Sequence, residues 1–185
     1  MNIFDYIFPK YCLLCSKIGE EICDRCLKEI PYTLPSCCIC NKLSNGYLTH
    51  KDCSKIQFQC FTGLYISNDL RNALEKKMNL GIYTTHIYLL EKIVERLSLS
   101  TIIHNSQIYQ IQDIKNEINI LNSQLANSLR ITEEKKDDIL LVGNCIGNKE
   151  MLLQQVKGLY KEPFNLRILV LFEQSTAPKF LHPLE

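Results

Sequence analysis

The chain has 185 residues, 46% of them hydrophobic, and a net charge of +1, so it can bury one sizeable core, or a smaller core beside a separately stabilised module, without the basic excess of a general polyanion binder. No apolar run approaches the roughly 18 residues of a membrane span, and the start "MNIFDYIFPK" has neither a basic n-region nor a small-residue cleavage site, so it does not read as a signal peptide. A cytoplasmic setting is expected, where thiols stay reduced and ten cysteines point to metal rather than to disulfides.

Nine of those cysteines fall between Cys12 and Cys60, and Cys145 stands apart. In chain order they form "YCLLC" (Cys12, Cys15), "ICDRC" (Cys23, Cys26), "CCIC" (Cys37, Cys38, Cys40) and "THKDC" (His50, Cys53). A two-residue gap lets both ligands of a tight turn face one tetrahedral ion, about 2.3 Å from each sulfur, and two such knuckles complete a site. The sequential pairing is Cys12, Cys15, Cys23 and Cys26 for one zinc ion and Cys37, Cys40, His50 and Cys53 for a second. It is favoured over an interleaved pairing because only seven residues separate Cys15 from Cys23, the length of a short hairpin. Interleaving stays open at this level. Cys38 lacks the knuckle spacing and becomes a bystander, while His50 takes the place of a missing cysteine three residues before Cys53.

Zinc ribbons serve as structural staples or protein-binding knobs, and some grip nucleic acid. Residues 1–63 hold seven Lys/Arg and six Asp/Glu. Two Zn²⁺ on seven thiolates turn that +1 into about −2, a poor footprint for a nucleic acid. A protein partner is therefore favoured and nucleic-acid binding is the minor alternative.

Beyond the module, assigned to residues 1–58, the composition changes without a Pro/Gly-rich linker. "FTGLYIS" (61–67) reads as a strand, with Cys60 a buried small hydrophobe at its start. "DLRNALEKKMN" follows as a helix capped by Asn68 or Asp69, with Leu70, Ala73, Leu74 and Met78 on one face. "YTTHIYLLEKIVERLSL" gives a second helix with the stripe Ile87, Leu90, Ile93, Val94 and Leu97. "TIIHNS" reads as a short strand, "DIKNEINILNSQLANSLRI" as a helix and "DILLVGN" as a buried strand. "NKEMLLQQVKGLY" is the next helix, "LRILVLFEQ" the last strand and "STAPKFLHPLE" a loop. Strands alternating with helices imply crossover units and a parallel sheet, an α/β domain over residues 59–185.

The order "FPKYCLLC", "ICDRCLKEIPY", "CCIC", "THKDC", "FTGLYISNDLRNALEKKMN" resembles the ComF family, which joins a double zinc ribbon to a phosphoribosyltransferase-like domain. The likeness is carried by residues 1 to about 95. It implies a role around DNA uptake or its helicase machinery, and an α/β domain of phosphoribosyltransferase type. In that type of domain, two acids after a strand hold the ribose hydroxyls of phosphoribosyl pyrophosphate, and a Thr/Gly-rich loop holds its 5′-phosphate at a helix N-terminus. Here Gly143 and Asn144 stand where the acids belong. Gly147, Asn148 and Lys149 occupy the loop, followed by Glu150 and Met151, so the loop is vestigial and the arginine-rich insert before it is missing. The expectation is a shortened, degenerate domain in a non-enzymatic adaptor, with transferase activity as the alternative and no small-molecule cofactor assigned.

Local chemistry agrees with that reading. Asn148 is a good N-cap, and Glu150 in the first turn complements the helix dipole, so the donors a phosphate would use are engaged. Lys149 and Gly147 are the features that would still suit an anion. Asp137 and Asp138 precede the strand and read as solvated charges closing "EEKKDD". Cys145 reads as a small apolar filler. His86, at a helix start, and His104, at the end of a short strand, could approach the same cleft but lack a paired carboxylate.

Overall fold

A computed structural model describes residues 9–129, 138–146, 148–160 and 165–172. Its centre is a four-stranded sheet of β1 (Gln59–Leu64), β2 (Ser106–Gln110), β3 (Asp138–Gly143) and β4 (Leu166–Phe172), in the order β1-β4-β3-β2. All three pairings are parallel, as the alternation of strands and helices predicts. The chain therefore starts at one edge, crosses to the far edge and walks back. The helices are α1 (Asp24–Glu29), α2 (Asn68–Asn79), α3 (Thr84–Arg96), α4 (Ser100–Asn105), α5 (Asn116–Leu129) and α6 (Lys149–Leu159). No helix among the described residues is long and apolar enough to cross a membrane.

The two-residue period of the strands divides the core. Leu140 and Val142 of β3 and Leu169 and Leu171 of β4 face one side, with Leu74, Leu89, Ile93 and Leu125 of α2, α3 and α5. Leu141, Ile168 and Val170 face the other, with Leu152 and Val156 of α6. Both faces are covered, which is why β3 and β4 are continuous apolar runs. The Cys-rich module joins both layers. Cys12, Ile22, Cys23, Cys26 and Ile30 belong to the first cluster, and Cys38 and Phe58 to the second. Cys60 is fully buried within β1, as a small hydrophobe should be.

Several boundaries differ from the sequence reading. "TIIHNS" is not a strand: Ser100–Asn105 is the short helix α4, and β2 begins at Ser106. The β-branched Thr101, Ile102 and Ile103 suggest extended chain, but Leu99 and Ile103 share one helical face and both are buried. His104 is consequently exposed on α4 and does not line the cleft. The cap of α2 is Ser67, whose Oγ accepts from Leu70 N–H at 3.3 Å, so Asn68 and Asp69 lie inside the first turn. The buried face of α3 is Thr85, His86, Leu89, Leu90 and Ile93, with Ile87, Val94 and Leu97 only partly buried.

Asp138 also departs from expectation, while Asp137 and the tail from 173 lie outside the described residues. The Asp138 carboxylate accepts from Arg167 Nη1 at 2.8 Å and from the Asn165 side-chain amide at 3.1 Å, and Arg167 Nε donates to Gln59 at 3.2 Å. This chain of bonds ties the amino ends of β3, β4 and β1. Burial pushes the carboxyl up, but the Arg167 and Asn165 bonds outweigh it and hold Asp138 below the ordinary aspartate value. A depressed carboxyl stabilises the fold above its unfolded pKa of about 4, and the contribution is lost as pH falls through the folded value. Asp138→Asn is expected to cost about 1–2 kcal/mol at neutral pH, because the pair is only partly buried, and to flatten the acid limb of the stability curve. Urea melts of both proteins between pH 3 and pH 7 check this, and parallel curves would refute it.

Candidate functional site

Each half of the Cys-rich module opens with the same loop. Cys12 N–H donates to Lys17 O at 2.8 Å, Ser16 N–H donates to Cys12 O at 2.8 Å, and Tyr11 bridges Ile18. In the second half, Cys37 N–H donates to Lys42 O at 2.9 Å, Asn41 N–H donates to Cys37 O at 2.7 Å, and Ser36 bridges Leu43. The residue after each second cysteine is left-handed, Ser16 at φ 60° and Asn41 at φ 57°, because the chain must reverse immediately after placing its sulfur. Asn is among the few residues that visit this region routinely. The repeat is written in the sequence as "CLLCSKI" and "CCICNKL", a signal that cysteine spacing alone passes over.

The second ligand pairs arrive by different routes. Cys23 precedes α1 and Cys26 lies in its first turn, with Leu27 N–H donating to Cys23 O at 2.9 Å. His50 and Cys53 share one turn, in which Cys53 and Ser54 N–H both donate to His50 O, at 3.0 and 3.2 Å.

The pairing that results is sequential. Sulfurs of Cys12, Cys15, Cys23 and Cys26 all lie within 4.8 Å of one another, and so do the ligand atoms of Cys37, Cys40, His50 and Cys53. A zinc tetrahedron with Zn–S near 2.3 Å has sulfur–sulfur edges of about 3.8 Å. Cys15 Sγ and Cys23 Sγ are 3.7 Å apart, the separation of two ligands on one ion and far beyond a disulfide. Each quartet could hold a metal ion, and the all-Cys and Cys₃His donor sets suit zinc. Cys38 is buried in the sheet core and belongs to neither quartet.

His50 shows how the second site is oriented. Its Nδ1 lies 3.2 Å from Cys40 Sγ, and its Nε2 lies 3.1 Å from Leu43 O. A carbonyl only accepts, so Nε2 carries the hydrogen and Nδ1 offers its lone pair to the cluster. Replacing His50 by Ala is expected to weaken metal binding at this quartet at least 100-fold, and replacing it by Cys to retain it. Competition against a chromophoric chelator checks both, and equal affinities for wild type and His50→Ala would remove His50 from the site.

The thiols are poised unequally. Burial raises Cys12, but N–H groups of Cys23, Leu14 and Cys15 outweigh it and bring the thiol down to about 6. In the second quartet burial likewise raises Cys37, and N–H groups of Cys40, His50 and Ile39 bring it down to about 7. Burial and the neighbouring thiols push Cys26 up strongly and Cys53 up to about 11. Four close thiols cannot all ionise on their own, and a divalent cation relieves the repulsion.

Both quartets are welded to the α/β layers. Glu21, between the first two knuckles, accepts from Lys77 Nζ at 3.0 Å and from the Thr85 hydroxyl. At the second quartet, Lys149 Nζ donates to Ile39 O at 2.5 Å, inside the Cys37–Cys40 loop. The cation that would have suited an anion is thus spent on the ribbon. Neither link has a local sequence signal.

The loop after β3 is otherwise occupied as well. Asn148 Oδ1 accepts from Glu150 and Met151 N–H at 2.9 and 3.0 Å, so the first turn of α6 caps itself. A Cβ on Gly143 would fall 2.9 Å from Ile111 Cβ, so no acid fits there without displacing a buried side chain. Asn144 gives its N–H to Asn122 Oδ1 at 2.8 Å and its carbonyl to Phe172 N–H at 2.9 Å. Asn122 is fully buried and also donates to Ile111 O at 2.8 Å, pinning the carboxyl ends of β2 and β3. Gly147 lies outside the described residues. Cys145 is half-buried, and burial pushes its thiol up to about 11, which leaves little thiolate for nucleophilic chemistry.

No family model matches the chain at a significant level, and neither does a curated protein or a solved structure.

Proposed function

We propose that the protein is a two-zinc, ComF-like adaptor whose α/β domain is a degenerate phosphoribosyltransferase-like scaffold without transferase activity. The observation that carries the reading is the pair of quartets, each gathered within 4.8 Å. The double ribbon lies within residues 1 to about 95, the part of the chain that carries the ComF likeness. The scaffold reading rests on the loop after β3, where Ile111 fills the space of an acid, Asn148 caps the helix and Lys149 serves the ribbon.

The ribbon's surface supports a reading with a protein partner. Ile18 and Leu43, at equivalent positions of the two knuckles, are 65% and 62% exposed on a module whose zinc-loaded charge is about −2. Apolar knuckle tips on a weakly acidic module suit a protein surface better than a phosphate backbone. The ComF likeness points to DNA-uptake or helicase machinery as the setting of that partner.

Calorimetric titration of zinc-loaded protein with phosphoribosyl pyrophosphate and magnesium is expected to give no heat at millimolar ligand. Micromolar, magnesium-dependent binding would overturn the scaffold reading and reopen transferase chemistry.

A further inference from the structure

The two quartets differ in how far solvent reaches their ligands. Cys15 is exposed, and so is every residue from Leu14 to Glu20, the stretch that leads from the first knuckle toward the second. In the other quartet no ligand is exposed: Cys37 is buried, and Cys40, His50 and Cys53 are half-buried. An open groove of about 870 Å³ has Cys15, Cys23 and Cys26 in its lining. Cys12, Cys23 and Cys26 are themselves buried, which leaves Cys15 as the ligand through which the groove reaches the first quartet.

Charge separates the quartets too. Zn²⁺ on four thiolates carries −2, and on three thiolates with a neutral imidazole −1, so the zinc-loaded first quartet holds the more electron-rich sulfurs. A second thiol stands ready beside the exposed one: Cys23 Sγ lies 3.7 Å from Cys15 Sγ. A solvent-accessible thiolate with a resolving cysteine next to it is the arrangement that oxidants convert to a disulfide.

We propose, on the reading that zinc occupies the first quartet, that Cys15 is a site of oxidative modification by a small uncharged hydroperoxide, with Cys23 as the resolving cysteine and zinc release as the result. The Cys15 thiolate attacks one oxygen of hydrogen peroxide. The O–O bond breaks, Cys15 becomes a sulfenic acid, and the departing hydroxide takes a proton to leave as water. The Cys23 thiolate then attacks the sulfenic sulfur, forming the S–S bond and displacing the second hydroxide, which is also protonated to water. Two sulfurs are oxidised and two peroxide oxygens reduced. The zinc ion, left with two ligands, departs, and Cys12 and Cys26 each take up a proton. A −2 centre repels anionic oxidants and admits a neutral one, which sets the class of oxidant. Ile18, one of the apolar knuckle tips, and Glu21, which holds Lys77 and Thr85, both lie between the two cysteines that join. The modification therefore acts on the partner-facing surface and on the weld to α2 and α3.

The test exposes full-length, zinc-loaded protein to hydrogen peroxide, follows released zinc with a chromophoric chelator and maps the thiols by differential alkylation and mass spectrometry. One zinc ion is expected to leave at least tenfold faster than the other, as a Cys15–Cys23 disulfide forms while Cys37, Cys40 and Cys53 stay reduced. Dithiothreitol with added zinc is expected to reverse the change. Cys15→His, which keeps a fourth ligand but removes the nucleophile, is expected to slow the fast release at least tenfold. The wild-type map stands even if that variant does not fold. Release of both ions at one rate, first oxidation in the second quartet, or two bound ions and reduced thiols throughout would overturn the proposal. A protein that carries no zinc before peroxide is added would overturn the zinc reading and this proposal with it.

Discussion

Stripping the protein with a strong chelator is expected to remove two zinc ions and to unfold the Cys-rich module first, with residues 9–58 losing amide-exchange protection before β3 and β4. Structural zinc sites contribute an apparent 10–16 kcal/mol, roughly, in isolated peptides, against a whole-domain stability of about 5–15 kcal/mol. The module has no comparable core of its own. Its described regular structure is one six-residue helix, a three-residue turn of 3₁₀ helix and two isolated bridges, with two further bridges joining it to β1. Loss of metal should then propagate unevenly. Cys12, Cys23 and Cys26 belong to one buried cluster with Leu70, Leu89 and Leu90, so emptying the first quartet is expected to loosen the α2–α3 side of that core. The half of the module around the second quartet meets the rest through Cys38, the Leu48–Gln59 bridge, the Tyr47–Phe61 ring contact and the Lys149 bond. Exchange read residue by residue checks this order. Unchanged protection over residues 9–58 after complete metal removal would show that the quartets are not structural.

The second large effect is expected from a single methyl group. Gly63 lies in β1 under α3, where an added Cβ would clash with Ile93 Cδ1 and fall 2.7 Å from Ile93 Cγ1 and 2.9 Å from the Leu171 carbonyl oxygen. Ile93 is fully buried, and the carbonyl belongs to the neighbouring strand, so neither can give way cheaply. Gly63→Ala is expected to destabilise by about 3 kcal/mol, the upper range for overpacking a core. Adding Ile93→Val, which removes the δ carbon, should restore part of the loss and leave the contacts with the retained γ carbon and the carbonyl. A urea midpoint for Gly63→Ala equal to wild type would mean that α3 does not pack this closely on β1, and the burial of Thr85 and His86 would have to be reconsidered.

What the sequence revealed depends on how local each feature is. A knuckle is a five-residue turn, so the spacing of Cys12, Cys15, Cys37 and Cys40 was readable, and only the choice between sequential and interleaved pairing needed coordinates. The Asn148 cap of α6 was equally local. The edge strand β2 was missed because it is polar: in "SQIYQ" only Ser106 and Ile108 are buried, and the β-branched run before it drew the eye. Period-3.6 reasoning found α3 but turned it toward Ile87 and Val94, because Thr85 and His86 do not look like core residues. Their burial comes from the first ribbon and Phe172, far along the chain. Asp138 read as one more charge in "EEKKDD" until Arg167 was placed beside it. Longer-range still are the two welds, Glu21 to Lys77 and Lys149 to Ile39, the second spanning 110 residues. Nothing in a linear reading brings such pairs together, and they decide that Lys149 faces the ribbon rather than an anion.

The central claim, two metal quartets on one chain, is tested most directly by native mass spectrometry of protein purified under reducing conditions, beside Cys26→Ser and Cys53→Ser. The account predicts two zinc ions per wild-type chain and one in each variant, with the Cys26→Ser ion held by Cys37, Cys40, His50 and Cys53. A single zinc ion per wild-type chain, or a metal-free chain lighter by the hydrogens of two or more disulfides, would contradict it.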